Sequence, residues 1–152
     1  ERASRNMEIN LVKKNDIESC MKFVEIVKTD FAGYKEEEFR KALKYCIENK
    51  EALAAMNDKG EITCLLLFSR TEKELQFLAT HPDYRKLGAA KKLIKKMILA
   101  FKPGDQIQVV TFTSEDKKGI AARNCYHACG FKDDELLTVF DYPCQKMILT
   151  VE

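Results

Sequence analysis

The sequence predicts an α/β (α+β) fold, a mixed central sheet of six to seven strands with about four helices packed on its faces. Three observations carry that expectation. Hydrophobic periodicity switches along the 152 residues in the order β-α-α-β-β-β-α-β-α-β-β. A helical crossover between extended runs at 74–80 and 106–113 makes those two strands parallel, whereas a short turn between two other runs makes them antiparallel. A composition of 45% hydrophobic and 33% charged residues is that of a globular chain, and its length suffices for a buried core.

Residues 7–12 read as the first strand. Asp16 is placed to cap a helix in which Ile17, Cys20, Met21, Val24 and Val27 recur at helical spacing. A second helix, 35–49, gathers Phe39, Ala42, Leu43, Cys46 and Ile47 on one face. Extended runs follow at 52–56, 62–69 and 74–80, with Asn57-Asp58-Lys59-Gly60 as the turn between the first two. The helix that opens near Gly88 is the clearest element. Ala90, Leu93, Ile94, Met97, Ile98 and Phe101 form its buried stripe, Lys91, Lys92, Lys95 and Lys96 its wet face, and Pro103-Gly104 its stop. A strand at 106–113 and a short helix at 118–129 come next, the helix closed by Gly130 in a left-handed cap. Runs at 136–140 and 146–151 complete the set as an antiparallel pair.

The chain reads as one domain over 7–152, with residues 1–6, ahead of Met7, as an appended tail outside the fold. A formal charge of +2 argues against a nucleic-acid surface. No apolar run approaches the roughly eighteen residues that cross a bilayer, so no membrane partner is expected. No export leader is read, and the cytoplasm is the expected compartment. The six cysteines lie mostly in apolar periodic segments, which suits reduced, buried thiols. Cys125 and Cys129 share a helix face, but His127 points elsewhere and no second ligand pair exists, so no metal is expected.

The chemistry concentrates in His81-Pro82-Asp83-Tyr84-Arg85-Lys86-Leu87-Gly88-Ala89-Ala90, where a strand passes into a helix. The first turn of a helix presents unpaired N–H groups and the positive end of the helix dipole. Small residues at 88–90 let a ligand approach the backbone, and Arg85, Lys86, Lys91 and Lys92 surround it with positive charge. The ligand this arrangement suits is a pyrophosphate. No Gly-Lys-Ser/Thr follows the loop, which disfavours a P-loop nucleotide site.

Arg85-x-x-Gly88-x-Ala90 resembles the Q/R-x-x-G-x-G/A signature of the GNAT superfamily of acyl-CoA-dependent N-acetyltransferases. The run from Leu78 to Arg85 resembles that family's strand-four exit, and Ala122-x-x-x-Tyr126-x-x-x-Gly130-Phe131 its last-helix motif. The resemblance implies a GNAT-type fold over Met7 to Glu152, with acetyl-CoA as co-substrate and a primary amine, on a small molecule or a protein, as acceptor. It also implies amides from about Lys86 to Lys91, including Leu87, Gly88, Ala89 and Ala90, around the diphosphate. Leu78, Ala79 and Thr80 would lie along the pantetheine arm and acetyl oxygen through their backbone. Tyr126 would donate a proton to the leaving thiolate; the plain alternative is a core tyrosine on the face of Ala122, Cys125 and Cys129. Glu74 matches the catalytic base of the histone-type branch, with deprotonation through water as its rival. Strand alternation would put Glu74, Gln76, Leu78 and Thr80 on one face. His81 needs no catalytic duty.

One departure stands out: where the family often carries asparagine seven residues before the tyrosine, this chain has Gly119. A non-catalytic acyl-CoA-binding module is therefore the alternative to an enzyme. Asp30 with Glu36, Glu37 and Glu38, and Asp133 with Asp134 and Glu135, could attract a cationic amine or simply be solvated surface. The last strand, 146–151, if exposed, could support a homodimer.

Overall fold

The computed structural model describes residues 7–31 and 33–152; the tail at 1–6 lies outside the described residues. The elements are β1 (Glu8–Leu11), α1 (Ile17–Val27), α2 (Glu36–Glu48), β2 (Ala52–Met56), β3 (Ile62–Ser69), β4 (Glu74–Thr80), α3 (Ala89–Ile98), β5 (Gln106–Phe112), α4 (Ile120–Ala128), β6 (Lys132–Val139) and β7 (Tyr142–Thr150). They form a seven-stranded sheet in the order β1-β2-β3-β4-β5-β7-β6. Neighbours are antiparallel except β4 and β5, which the α3 crossover makes parallel.

The strands at 52–56, 62–69 and 74–80 fall where the apolar runs place them. Every residue of β3 is buried, because helices cover both of its faces. On one face α3 and α4 contribute Leu93, Ile94, Met97 and Tyr126 to a core with Leu66, Phe68, Ile107 and Met147. On the other, α1 and α2 bring Phe23, Val24, Leu43 and Cys46 against Ala54, Leu65 and Leu67. Each fully buried Leu, Ile or Phe contributes about 1.5–3 kcal/mol through removal of apolar area from water. The β2–β3 turn is closed by Asn57, whose Oδ1 accepts the N–H groups of Lys59 and Glu61, both at 2.9 Å.

Several expectations need correction. Asp16 sits at the start of α1 but does not cap it: its Oδ2 accepts the N–H of Lys13 at 2.9 Å and closes the preceding 3-10 turn. The last two strands are longer than expected, beginning at Lys132 and Tyr142 rather than 136 and 146. The acidic run 133–135 is thus part of an edge strand, where exposed side chains carry no apolar alternation. The final strand is no free edge, since β7 lies between β5 and β6 and the sheet's edges are β1 and β6. That removes the basis for a dimer through residues 146–151. Finally, half of the thiols are only partly covered: Cys20, Cys46 and Cys64 are buried, while Cys125, Cys129 and Cys144 are half-buried.

Candidate active site

Strands β4 and β5 meet at one register position, Glu74 opposite Gln108, beside a hydrogen bond from the Gln108 N–H to the Lys73 carbonyl at 2.9 Å. Beyond it they part. On its other edge β4 stays paired with β3 as far as Thr80 opposite Cys64, and β5 stays paired with β7 as far as Phe112 opposite Cys144. The result is a V opening toward the C-terminal ends of both strands. Backbone groups of β4 that would face β5 there have no ladder partner to satisfy them.

A bulge accompanies the split. Phe68 pairs with Leu75 but Leu67 with Phe77, so Gln76 is the extra residue. It breaks the alternation expected of β4. Leu75 and Leu78 both belong to the α3/α4 side, and Thr80 points there too, its Oγ1 3.4 Å from Cys64 Sγ. Phe77 and Ala79 belong to the α1/α2 side. Glu74, one step from Leu75, also faces the α1/α2 side, where its charge acts on Lys146. Glu74 therefore does not share a face with Leu78 and Thr80; they approach the V from opposite sides of the sheet.

The turn after β4 is built by short local bonds. His81 donates its N–H to the Thr63 carbonyl at 2.8 Å, and its Nδ1 accepts the N–H of Asp83 at 3.0 Å. Tyr84 receives a hydrogen bond from Asn57 Nδ2 at 3.0 Å. Lys86 and Gly88 follow at φ 64° and 86°, and α3 starts without a side-chain cap. The first backbone bond of the helix runs from the Lys92 N–H to the Gly88 carbonyl at 3.1 Å. The N–H groups of Ala89, Ala90 and Lys91 precede that bond and are left to a ligand or to water.

A Cβ placed on Gly88 would meet no protein atom within 4 Å. Tight packing of helix on sheet is therefore not the reason for glycine. Its left-handed φ is one reason, and the open space beside it is what an approaching diphosphate would need. Arg85, Lys86 and Lys91 are exposed around this turn and Leu87 is half-buried. Arg85 Nη2 reaches Asp30 Oδ2 at 3.4 Å, which ties the segment before α2 to the loop.

Tyr126 is 5% exposed and packs its ring 5.5 Å from Phe131. Leu78, Ala89, Ala90 and Tyr126 belong to one packed cluster, so the structure brings the strand, loop and last-helix motifs together. Burial, and then the neighbouring thiols of Cys125, Cys64 and Cys129, push the Tyr126 phenol well above its ordinary value. At neutral pH it carries its proton.

Arg123 lies on α4 one turn before Tyr126 and is 6% exposed, and no motif or periodicity of the sequence singles it out. Its Nη1 donates to the Phe112 carbonyl at 3.1 Å and to Gln145 Oε1 at 2.8 Å, and its Nη2 to Asp133 Oδ2 at 2.9 Å. Asp133 Oδ1 is in turn 2.8 Å from His127 Nε2, and this bond first, then Arg123, holds the Asp133 carboxyl below its ordinary value. The network fastens α4 to the last residue of β5, the start of β6 and the interior of β7. Gly119 is explained by packing, since a Cβ there would fall 2.5 Å from Phe112 Cβ. Among the described residues no group of three His, Cys, Asp or Glu side chains is disposed to hold a metal, and no helix is long and apolar enough to cross a membrane.

A split parallel pair, an uncapped crossover helix and a buried tyrosine on α4, packed in the core beneath them, sit together in an α+β architecture. The family model of the acetyltransferase (GNAT) domain matches residues 48–133, and the chain belongs to that family. No curated protein sequence matches it. Among solved structures, it is similar to a GNAT-family acetyltransferase from Bacillus cereus, at 18% identity over 97% of this chain and 99% of that one, with a TM-score of 0.74. Ard1 from Thermoplasma volcanium is similar at 14% identity over 96% and 98%, with a TM-score of 0.76. A chain of the NatC complex bound to Gag peptide and CoA is similar at 18% identity over 97% and 99%, with a TM-score of 0.73.

Proposed function

We propose that this chain is an N-acetyltransferase that passes an acetyl group from acetyl-CoA to a primary amine by direct attack within a ternary complex. The observation that carries the reading is the single-residue contact of β4 with β5, opening beside an uncapped helix whose glycine leaves room for a ligand. Amides of residues 86–91 would hold the diphosphate, with Lys86, Lys91 and Arg85 adding positive charge. Backbone groups of Leu78, Ala79 and Thr80, freed by the split, would lie along the pantetheine arm and face the acetyl oxygen. A donor aimed at charge developing on that oxygen typically lowers a barrier by about 3 kcal/mol. Acetyl-CoA supplies the activated thioester, and the NatC neighbour, described as bound to CoA, supports this choice of co-substrate.

The two faces of the sheet divide the work. Tyr126, Leu78 and Thr80 lie on the α3/α4 side of the sheet, and Glu74, at the closed end of the V, lies on the other. The donor would enter along the first face and the amine from the second. Glu74, directly or through water, would take the proton that the amine must lose, and Tyr126 would return one to the departing thiolate.

The test is acetyl transfer to a panel of small amines and peptide N-termini, with the Tyr126→Phe variant alongside. The expected result is turnover by the wild type, a fall in kcat of about a hundredfold or more in the variant, and coenzyme A affinity within threefold. Coenzyme A binding without turnover on any amine would leave a binding module instead, and undiminished kcat in the variant would remove Tyr126 as proton donor.

A further inference from the structure

On the α1/α2 side of the sheet, one arm of the V carries aromatic rings. Every residue of β3 is buried, yet its neighbour β4 leaves Phe77 half-buried, in the stretch that β5 has already left. Phe77 packs against Phe31, from the connection between α1 and α2, with ring centroids 4.6 Å apart, and against Phe39 of α2 at 4.9 Å. Tyr34 stands 5.8 Å from Phe39, and all four rings stay half-buried. On the other arm, β5 turns Gln108 and Val110 to this same side, because Ile107 and Val109 point into the α3/α4 core. At the closed end stands Glu74, whose Oε1 accepts a hydrogen bond from Gln76 Nε2 at 3.4 Å. The bulge leaves Gln76 exposed although β4 is an inner strand. This face of the cleft thus sets a carboxylate and an amide beside a wall of rings.

The surrounding charges leave little to hold a polycation. Asp30 is paired with Arg85 at 3.4 Å, Glu135 with Lys146 at 2.9 Å, and Asp105 with Lys73 at 3.1 Å. Asp133 lies between Arg123 and His127. Glu36, Glu37 and Glu38 fill the first turn of α2, where they meet the positive end of its dipole. Glu74 forms no ion pair among the described residues; its neighbour is a neutral amide. An acceptor with several positive charges would find one anion here, whereas a single amine on an apolar body finds that anion and the rings together.

We propose that the acceptor is a primary monoamine carried on an aromatic body, its ring seated against Phe77 and its nitrogen turned into the V on the side of Glu74 and Gln76. This class of acceptor presupposes the acetyl transfer proposed above. Aromatic rings that meet tilted or edge-on attract one another beyond the area they bury. The contacts among Phe31, Phe77, Phe39 and Tyr34 already have interplanar angles of 33°, 64° and 50°, so an incoming ring extends an existing cluster. Glu74 and Phe77 are three residues apart, at most about 10 Å along the strand, which suits an amine set a few bonds from its ring. A free arylalkylamine and the N-terminus of a peptide that begins with an aromatic residue share this chemistry.

In the experiment, coenzyme A release at saturating acetyl-CoA is followed with 2-phenylethylamine, ethylamine, spermidine, and tripeptides beginning with phenylalanine or alanine. Wild type, Phe77→Leu and Phe31→Leu are compared, each with a melting curve; Phe31 lies outside the sheet, so its variant reads the site even where Phe77→Leu fails to fold. The expected kcat/KM for an aromatic amine exceeds that for ethylamine and spermidine at least tenfold. In a folded variant that preference shrinks at least fivefold, mainly through KM, with coenzyme A affinity unchanged. Both sources support the class: a faster phenylalanine peptide would identify a peptide N-terminus, and faster 2-phenylethylamine a free amine. Ethylamine or spermidine turned over as well as the aromatic amines, or a preference untouched in folded variants, would overturn the proposal and leave acetyl transfer standing. Without turnover on any amine, acetyl transfer falls by itself, and saturation-transfer NMR of 2-phenylethylamine with the coenzyme A-loaded protein reads the ring site. Contact that Phe77→Leu or Phe31→Leu weakens would support it, and no contact in the wild type would overturn it.

Discussion

Gly88 shows how one residue can be required by a ligand rather than by the fold. Its φ of 86° disfavours any side chain, but a Cβ there would touch nothing in the protein. Gly88→Ala should therefore cost only about 1–2 kcal/mol of stability, the left-handed penalty of an L-residue, while coenzyme A affinity falls at least tenfold. A thermal melt and a calorimetric titration on the same preparation check both halves; unchanged affinity would mean the space beside Gly88 is not used. Gly119 is the opposite case. The family's asparagine would place its Cβ on Phe112, so the departure follows from packing at the end of β5 and says nothing against catalysis.

At the scale of elements, α4 owes its placement to Arg123. Three hydrogen bonds from one nearly buried guanidinium reach β5, β6 and β7. Arg123→Met should destabilise the protein by about 2–3 kcal/mol, because the Phe112 carbonyl and Gln145 lose a charged partner. Urea unfolding reads this directly, and a change below about 0.5 kcal/mol would show the network to be incidental. This network was hidden in the sequence, where an arginine on an amphipathic helix reads as solvent-facing. The bulge at Gln76 was hidden for a different reason: it is a register shift between two strands, and period-two reasoning put Glu74 on the wrong face for lack of it. The charged run 132–135 concealed the start of β6 because an edge strand need not alternate. The strands of the centre and the amphipathic α3 were legible, since burial on one or both faces writes itself into apolar periodicity. The loop was legible too, because uncapped amides and a left-handed glycine demand small residues at fixed spacing.

For the whole molecule, burial of thiols and of Tyr126 sets an alkaline limit. Cys20, Cys46 and Cys64 hold their protons in the folded state up to about 12, 11 and 11, against an ordinary 9.0. A raised folded pKa means that the folded protein binds more protons, so the stabilisation is complete below the unfolded value and is lost as pH rises through the folded one. At pH 10 each buried thiol should already have removed about 1.4 kcal/mol. Melting temperature should thus fall steadily from pH 8.5 to 10.5; a flat profile would contradict protonated burial. Binding of a diphosphate by main-chain amides around residues 86–91 underlies the proposed activity, and calorimetry comparing coenzyme A with pantetheine, which lacks that group, tests it most directly. Saturable coenzyme A binding with pantetheine at least tenfold weaker is the expected result, and equal affinities, or no heat from coenzyme A, would contradict it.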